Sequence, residues 1–137
     1  MAEKAVLGKQ IVVRMINKSG TLADISGILY DCGLNIEAVN GYAIDDIATI
    51  TFITDDNLRA AEALKKAGYT DCKEKEVIII ELQNRIGGLK NISTKLANEG
   101  IDINYIHAGV CPIGSPAKIA LSTDNNESAL KVLEVKD

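Results

Sequence analysis

Apolar positions at the start of the chain alternate, and then they step. Ile11, Val13 and Met15 alternate with Gln10, Val12 and Arg14, and the run is rich in β-branched side chains, so residues 10–16 read as a strand. Leu22, Ile25, Leu29 and Cys32 then recur at steps of three and four, one face of a helix that Gly33 closes. A second strand is expected from Leu34 to about Ala43, a turn at Asp45-Asp46, and a third strand from Ala48 to Ile53. Asp56 stands where an N-cap would stand for an Ala-rich helix that runs to Ala67 and stops at Gly68. Tyr69 to Leu82 is too long for one average strand, so it reads as a fourth strand running into the first strand of a further set.

The further set is a repeat of the first. Asn17-Lys18-Ser19-Gly20-Thr21-Leu22 aligns with Asn84-Arg85-Ile86-Gly87-Gly88-Leu89 at an offset of 67. In the same register Ile25 falls on Ile92, Leu29 on Leu96, Gly33 on Gly100 and Ile36 on Ile103, so the shared positions are apolar residues and glycines. Farther on, Thr54-Asp55 matches Thr123-Asp124 and Leu64 matches Leu133 at an offset of 69, with the gain around Cys111 to Pro116. Each copy therefore reads β-α-β-β-α-β, the ferredoxin-like arrangement of an antiparallel sheet with both helices on one face. The fold class is α+β, with a first unit over 9–75 and a second over 76–137. Only Glu134 to Asp137 follow Leu133, so the second unit is expected to lack its last strand. Its edge would be open, or covered by Ala5-Val6-Leu7 or another subunit.

Composition narrows the function. A hydrophobic fraction of 47% over 137 residues supports a real core. The formal charge of −4 disfavours nucleic acid and anionic membranes as partners. The longest aliphatic run, Val77 to Ile80, is far below the roughly 20 residues of a membrane span. Residues 1–10 are too charged for a secretory signal, and Cys32, Cys72 and Cys111 are dispersed, so a cytoplasmic protein with reduced thiols is expected. No cofactor and no metal is expected.

The strand-to-helix turn at Asn17, Lys18, Ser19, Gly20, Thr21 and Leu22 is the best chemical candidate. Free N–H groups and the positive end of the helix dipole favour a carboxylate there, Gly20 lets a ligand approach the backbone, and Asn17 offers both donor and acceptor. Asn35, followed by Ile36 at the start of the next strand, is expected to bring a second amide near the same turn. The plainer alternative is that Asn17 and Gly20 only shape the turn while Ser19 or Thr21 caps the helix.

The pattern N-x-x-G-x-L after a strand, a helix ending in Gly, and then Leu34-Asn35-Ile36-Glu37 or Ile101-Asp102-Ile103-Asn104, resembles the ACT domain, a regulatory amino-acid-binding module of biosynthetic enzymes. The resemblance covers nearly all of residues 9–133. It implies a non-enzymatic tandem ACT protein that pairs side by side, binds a free amino acid at an interface between units as a homodimer, and signals to a biosynthetic enzyme. The serine-sensing ACT domain of phosphoglycerate dehydrogenase carries H-x-N-x-P-G-V-L and a further Asn eighteen residues on. Asn17, Gly20 and Asn35 match that pattern, whereas Met15 and Ser19 replace its His and Pro. Copy two keeps Asn84, Gly87, Gly88 and Leu89 but has Asp102 in place of the second Asn. A carboxylate beside the turn would weaken anion binding, so copy two is the weaker site. Asn35 to Val39 also resembles the small subunit of acetolactate synthase, which implies branched-chain effectors.

Other functions fit less well. His107 and Cys111 would be more than ten ångströms apart on a strand at roughly 3.3 Å per residue, too far for a catalytic dyad. Asp45-Asp46 and Asp55-Asp56 read as turn formers. An RNA-recognition surface would need basic and exposed aromatic residues on the central strands, where only Arg14 and Phe52 stand. An acylphosphatase-like hydrolase would rest on Arg85, the only loop arginine. A protein-interaction domain without a small ligand, docking through an open sheet face or edge, is the remaining class.

Overall fold

The computed structural model describes residues 2–109, 112 and 115–134. Its elements are β1 (Ala2–Ile16), α1 (Thr21–Asp31), β2 (Ile36–Ile44), β3 (Ile47–Thr54), α2 (Asn57–Lys66), β4 (Cys72–Gln83), α3 (Gly88–Asn98), β5 (Ile103–Ala108), β6 (Pro116–Thr123) and α4 (Asn126–Glu134). The long fourth strand of the sequence reading is present as β4. The first strand starts earlier than expected, at Ala2, and β2 starts later, at Ile36, because Leu34 is turned into the core between helix and strand.

The chain divides into two compact units, Lys9–Lys75 and a second made of Met1–Gly8 with Glu76–Asp137. In the first, β2 pairs with β3 and β3 with residues 9–16 of β1, all antiparallel, and residues 72–75 of β4 flank β1. In the second, β5 pairs with β6 and β6 with residues 76–83 of β4, and residues 2–8 of β1 flank β4. Of the expected covers for the edge of the second unit, residues 2–8 are the one observed: Ala5 packs against that unit's core, and a Cβ on Gly8 would meet the Ile79 side chain at 2.5 Å. Residues 135–137, on which the expectation of a missing last strand falls, lie outside the described residues. So do Cys111, Ile113 and Gly114 of the inserted loop.

Each unit has its own core, and the repeat explains it. In the first, Ile25 and Leu29 of α1 and Ala60 and Leu64 of α2 pack on Ile11, Val13, Ile50 and Phe52, so both helices lie on one face of the sheet. In the second, Ile92, Leu96, Ala129 and Leu133 do the same on Ile78, Ile80, Ile119 and Leu121. Each fully buried Ile, Leu, Val or Phe among them stabilises by about 1.5–3 kcal/mol relative to exposure. Phe52, 1% exposed, belongs to this packing and offers no stacking platform.

A hydrogen-bonded clasp also repeats. Asn57 Oδ1 accepts from the Thr54 N–H at 2.9 Å and from Thr54 Oγ1 at 3.0 Å, while its Nδ2 donates to the Lys9 carbonyl at 2.8 Å. Asn126 makes the same bonds to Thr123, at 2.8 and 2.9 Å, and donates to the Glu76 carbonyl at 3.4 Å. Asp56 caps α2 through the Arg59 N–H at 3.2 Å, as the sequence predicts. Asp55 accepts from the Asn35 N–H at 3.1 Å, and Asp124 from the Asp102 N–H at 3.3 Å. Asp45 turns β2 into β3 with φ of 54°.

Candidate functional site

The turn from β1 into α1 is pinned at both ends. The Asn17 N–H donates to the Asp46 carbonyl at 2.7 Å, which ties the turn to the β2–β3 hairpin. Thr21 Oγ1 donates to the Lys18 carbonyl at 3.0 Å, so the buried threonine braces the loop from within. Gly20 occupies the N-cap position with φ of 88°, a left-handed backbone that a side chain would strain. Among the described residues no side chain caps α1, and the Thr21 hydroxyl is turned to the Lys18 carbonyl instead. The capping alternative of the sequence reading therefore falls away for this helix.

That uncapped end faces a crevice of about 480 Å³. Asn17, Lys18, Gly20, Thr21 and Leu22 form its polar side, and Ser19 does not line it. Its opposite side comes from the sheet, chiefly Val39, Gly41 and Ala43 of β2 with Ala48 and Ile50 of β3. The sequence reading missed all of these strand residues. Their alternation could have marked them, since Gly41 pairs with Ile50 and Ala43 with Ala48 on the face that carries α1. Asn17, Lys18, Gly20, Thr21 and Leu22 are brought together as expected.

Asn35 and Ile36 are not brought to this turn. Ile16 and Ile44 are level with Ile47 on β3, whereas Ile36 is level with Thr54. The two ends are about 23 Å apart at roughly 3.3 Å per residue. The reason is topological: β1 and β2 both run antiparallel to β3, so they run parallel to each other, and α1 carries the chain back to the starting end. Asn35 ends up exposed beside Asp55, with the two backbones also joined by an Asp55 N–H to Asn35 carbonyl bond of 3.3 Å. Ile36 packs against the core.

The second turn repeats the backbone of the first. Gly87 is left-handed with φ of 89°, and among the described residues no side chain caps α3. The Asn84 N–H donates to the Ser115 carbonyl at 3.1 Å and its side chain to the Pro112 carbonyl at 3.4 Å, so the inserted loop lies against the turn. Gly88 is buried, and a Cβ there would come within 2.9 Å of Leu82 Cδ1, while Leu89 is exposed. Asp102 stands by Asp124 at the far end of its strand, as Asn35 does by Asp55, because Gln83 is level with Pro116 and Ile103 with Thr123. The repulsion expected between Asp102 and an anion at the Asn84 turn does not operate within this unit. The backbone bond to Ser115 repeats that of Asn17 to Asp46, and the side-chain bond from Asn84 to the Pro112 carbonyl is an added tie at the second turn.

Beside the first turn, the Tyr69 hydroxyl donates to Asp24 Oδ2 in the first turn of α1. Hydrogen bonding to Asp24, with burial and the carboxylate's charge adding to it, pushes the Tyr69 hydroxyl up to about 12. Burial pushes the Cys72 thiol up. His107 is half-buried on β5 opposite Ala120, and Cys111 of the proposed dyad lies outside the described residues. Among the described residues there is no cluster of three or more His, Cys, Asp or Glu that could hold a metal ion, and no helix long and apolar enough to cross a membrane.

Comparison with known proteins agrees with this architecture. The structure of protein BT0572 from Bacteroides thetaiotaomicron is similar with a TM-score of 0.87 at 25% identity, covering 95% of this chain and 88% of that one. The ligand-free regulatory subunit of aspartate kinase from Thermus thermophilus shares the fold at a TM-score of 0.66 and 14% identity over 97% of both chains. The corresponding subunit from Thermus flavus does so at 0.61 and 16%, over 96% of this chain and 95% of that one. No curated protein matches the chain. A family model described as an ACT domain pair matches residues 6–137, and with two ferredoxin-like units each opening a helix on a left-handed glycine, the chain belongs to the ACT domain family.

Proposed function

We propose that the protein is a non-catalytic regulatory module that binds a free amino acid at the Asn17–Leu22 turn and signals its presence to a metabolic enzyme in the cytoplasm. One observation carries this reading: an uncapped helix start, flanked by Asn17 and Lys18, opens on a crevice large enough for a metabolite. The α-carboxylate would sit on the first-turn N–H groups of α1 with Lys18 adding positive charge, and the Asn17 amide would orient the ligand. The neighbouring aspartate kinase structures are regulatory subunits, which agrees with a sensing role beside an enzyme. Copy two, with Asn84 tied to the inserted loop, is the weaker site.

Homodimerisation would supply what the single unit lacks. Val39, Tyr42 and Ile44 are exposed on the edge strand β2, an apolar surface suited to pairing. Antiparallel pairing of β2 with β2 of a second copy would reverse its direction. Asn35 of that copy would then arrive at the end of the sheet where Asn17 lies.

A thermal-shift screen of the full chain against the twenty amino acids tests the reading. A ligand at about 100 times its Kd adds roughly 2.7 kcal/mol of stability. Gly20→Asp, which places a carboxylate at the helix start, should remove the shift. No shift with any amino acid at millimolar concentration would leave the protein-interaction reading, which the same exposed edge favours.

A further inference from the structure

The crevice at the α1 start is chemically divided, and its division selects a side chain. Resting on the amino-acid reading above, we propose that the effector is an L-amino acid with an uncharged aliphatic side chain, and that Ala43 and Ala48 set the size it can have.

Apart from Tyr42 on β2, the polar side chains that line the crevice are gathered at the turn, at Asn17, Lys18 and Thr21, where the α-carboxylate and α-ammonium would lie. The side chain would point away from them, toward Val39, Ala43, Ala48 and Ile50. No Asp or Glu lines the crevice among the described residues, so a lysine or arginine side chain would have no counter-charge. Lys18 is the single lining cation among the described residues and stands at the turn, so an acidic side chain would compete with its own α-carboxylate. A serine hydroxyl would give up water against these aliphatic strand residues. An aliphatic side chain instead gains about fourfold in affinity per buried methylene.

Room for that side chain comes from one cross-strand pair. Ala43 on β2 is level with Ala48 on β3, and both line the crevice. Larger residues at this pair would project into the space that an aliphatic side chain needs.

Titration calorimetry on the full chain with L-alanine, L-valine, L-leucine, L-isoleucine, L-serine, L-aspartate and L-lysine tests the inference. Leucine, isoleucine or valine should bind about tenfold or more tighter than alanine, and serine, aspartate and lysine more weakly than alanine. Serine, aspartate or lysine binding tightest would overturn the aliphatic assignment while leaving amino-acid binding in place. Binding of none of the seven would overturn the assignment, and the remaining thirteen in the thermal screen then decide the broader reading. Ala43→Leu should weaken leucine by about tenfold and spare alanine, and Ala43→Glu should weaken leucine and strengthen lysine. Melting of each ligand-free variant separates these effects from misfolding. Unchanged selectivity in two folded variants would sink the role of this pair.

Discussion

Asn17 and Asn35, two amides eighteen residues apart, stand at opposite ends of the same sheet, one level with Asp46 and the other beside Asp55. A ligand held by both cannot be held within one unit. Asn17→Ala should therefore weaken amino-acid binding by about tenfold, the worth of one hydrogen bond to a charged group. Asn35→Ala should weaken it only where a second copy is paired. Ile44→Lys, on the exposed β2 edge and away from the crevice, should give a monomer in which Asn35→Ala changes nothing. Calorimetry combined with sedimentation of the four variants checks this, and a monomer still sensitive to Asn35→Ala would refute the pairing.

Gly20 carries a backbone cost that can be measured apart from binding. Its Cβ would meet no atom within 4 Å, yet its φ of 88° is left-handed. Gly20→Ala should thus destabilise the unfolding midpoint by about 1–2 kcal/mol through strain alone, and Gly20→Asn by less, since Asn tolerates this region. Urea unfolding of both variants tests the order.

Tyr69 and Asp24 make part of the fold sensitive to alkali. With its hydroxyl pushed up to about 12 from an ordinary value of 10.0, Tyr69 stays protonated in the folded state while the unfolded chain ionises. Its contribution is therefore complete below pH 10 and is lost as pH rises through about 12. Tyr69→Phe should flatten the fall in stability across that window, measured by unfolding at fixed urea between the two pH values.

The two described cysteines should differ in reactivity. Cys72 is buried in the first core, 3% exposed, and its thiol is pushed up, whereas Cys32 is half-buried at the end of α1. A thiol reagent at neutral pH should label Cys32 first, and Cys72 only as the first unit opens. Equal labelling rates in Cys111→Ser protein would contradict this.

Asn57 and Asn126 should be costly to remove. Each satisfies a strand-end threonine and a distant carbonyl at once, so alanine at either should cost about 1–3 kcal/mol by leaving partly buried groups unpaired. Chemical unfolding of each single variant provides the value.

The repeat made most of this fold legible. Ile25 and Ile92, or Leu29 and Leu96, announce the same helix face twice, because a buried stripe constrains spacing as well as residue type. The glycines of both turns were legible for a similar reason, since a left-handed residue at a helix start admits few side chains. What the chain did not reveal was direction. The spacing of Asn17 and Asn35 looks like proximity until the crossover helix is seen to carry the chain back the length of the sheet. The small residues Ala43 and Ala48 were equally silent, because their role depends on each being opposite the other. The clasp at Asn57 and Asn126 went unread because an Asn at a helix start looks like ordinary turn chemistry.

The placement of residues 2–8 of β1 with Glu76–Asp137 means that the halves of this protein cannot be separated at the midpoint of the sequence. A polypeptide beginning at Glu76 would emerge with a raw flank, and a detached peptide carrying residues 2–8 should mend it.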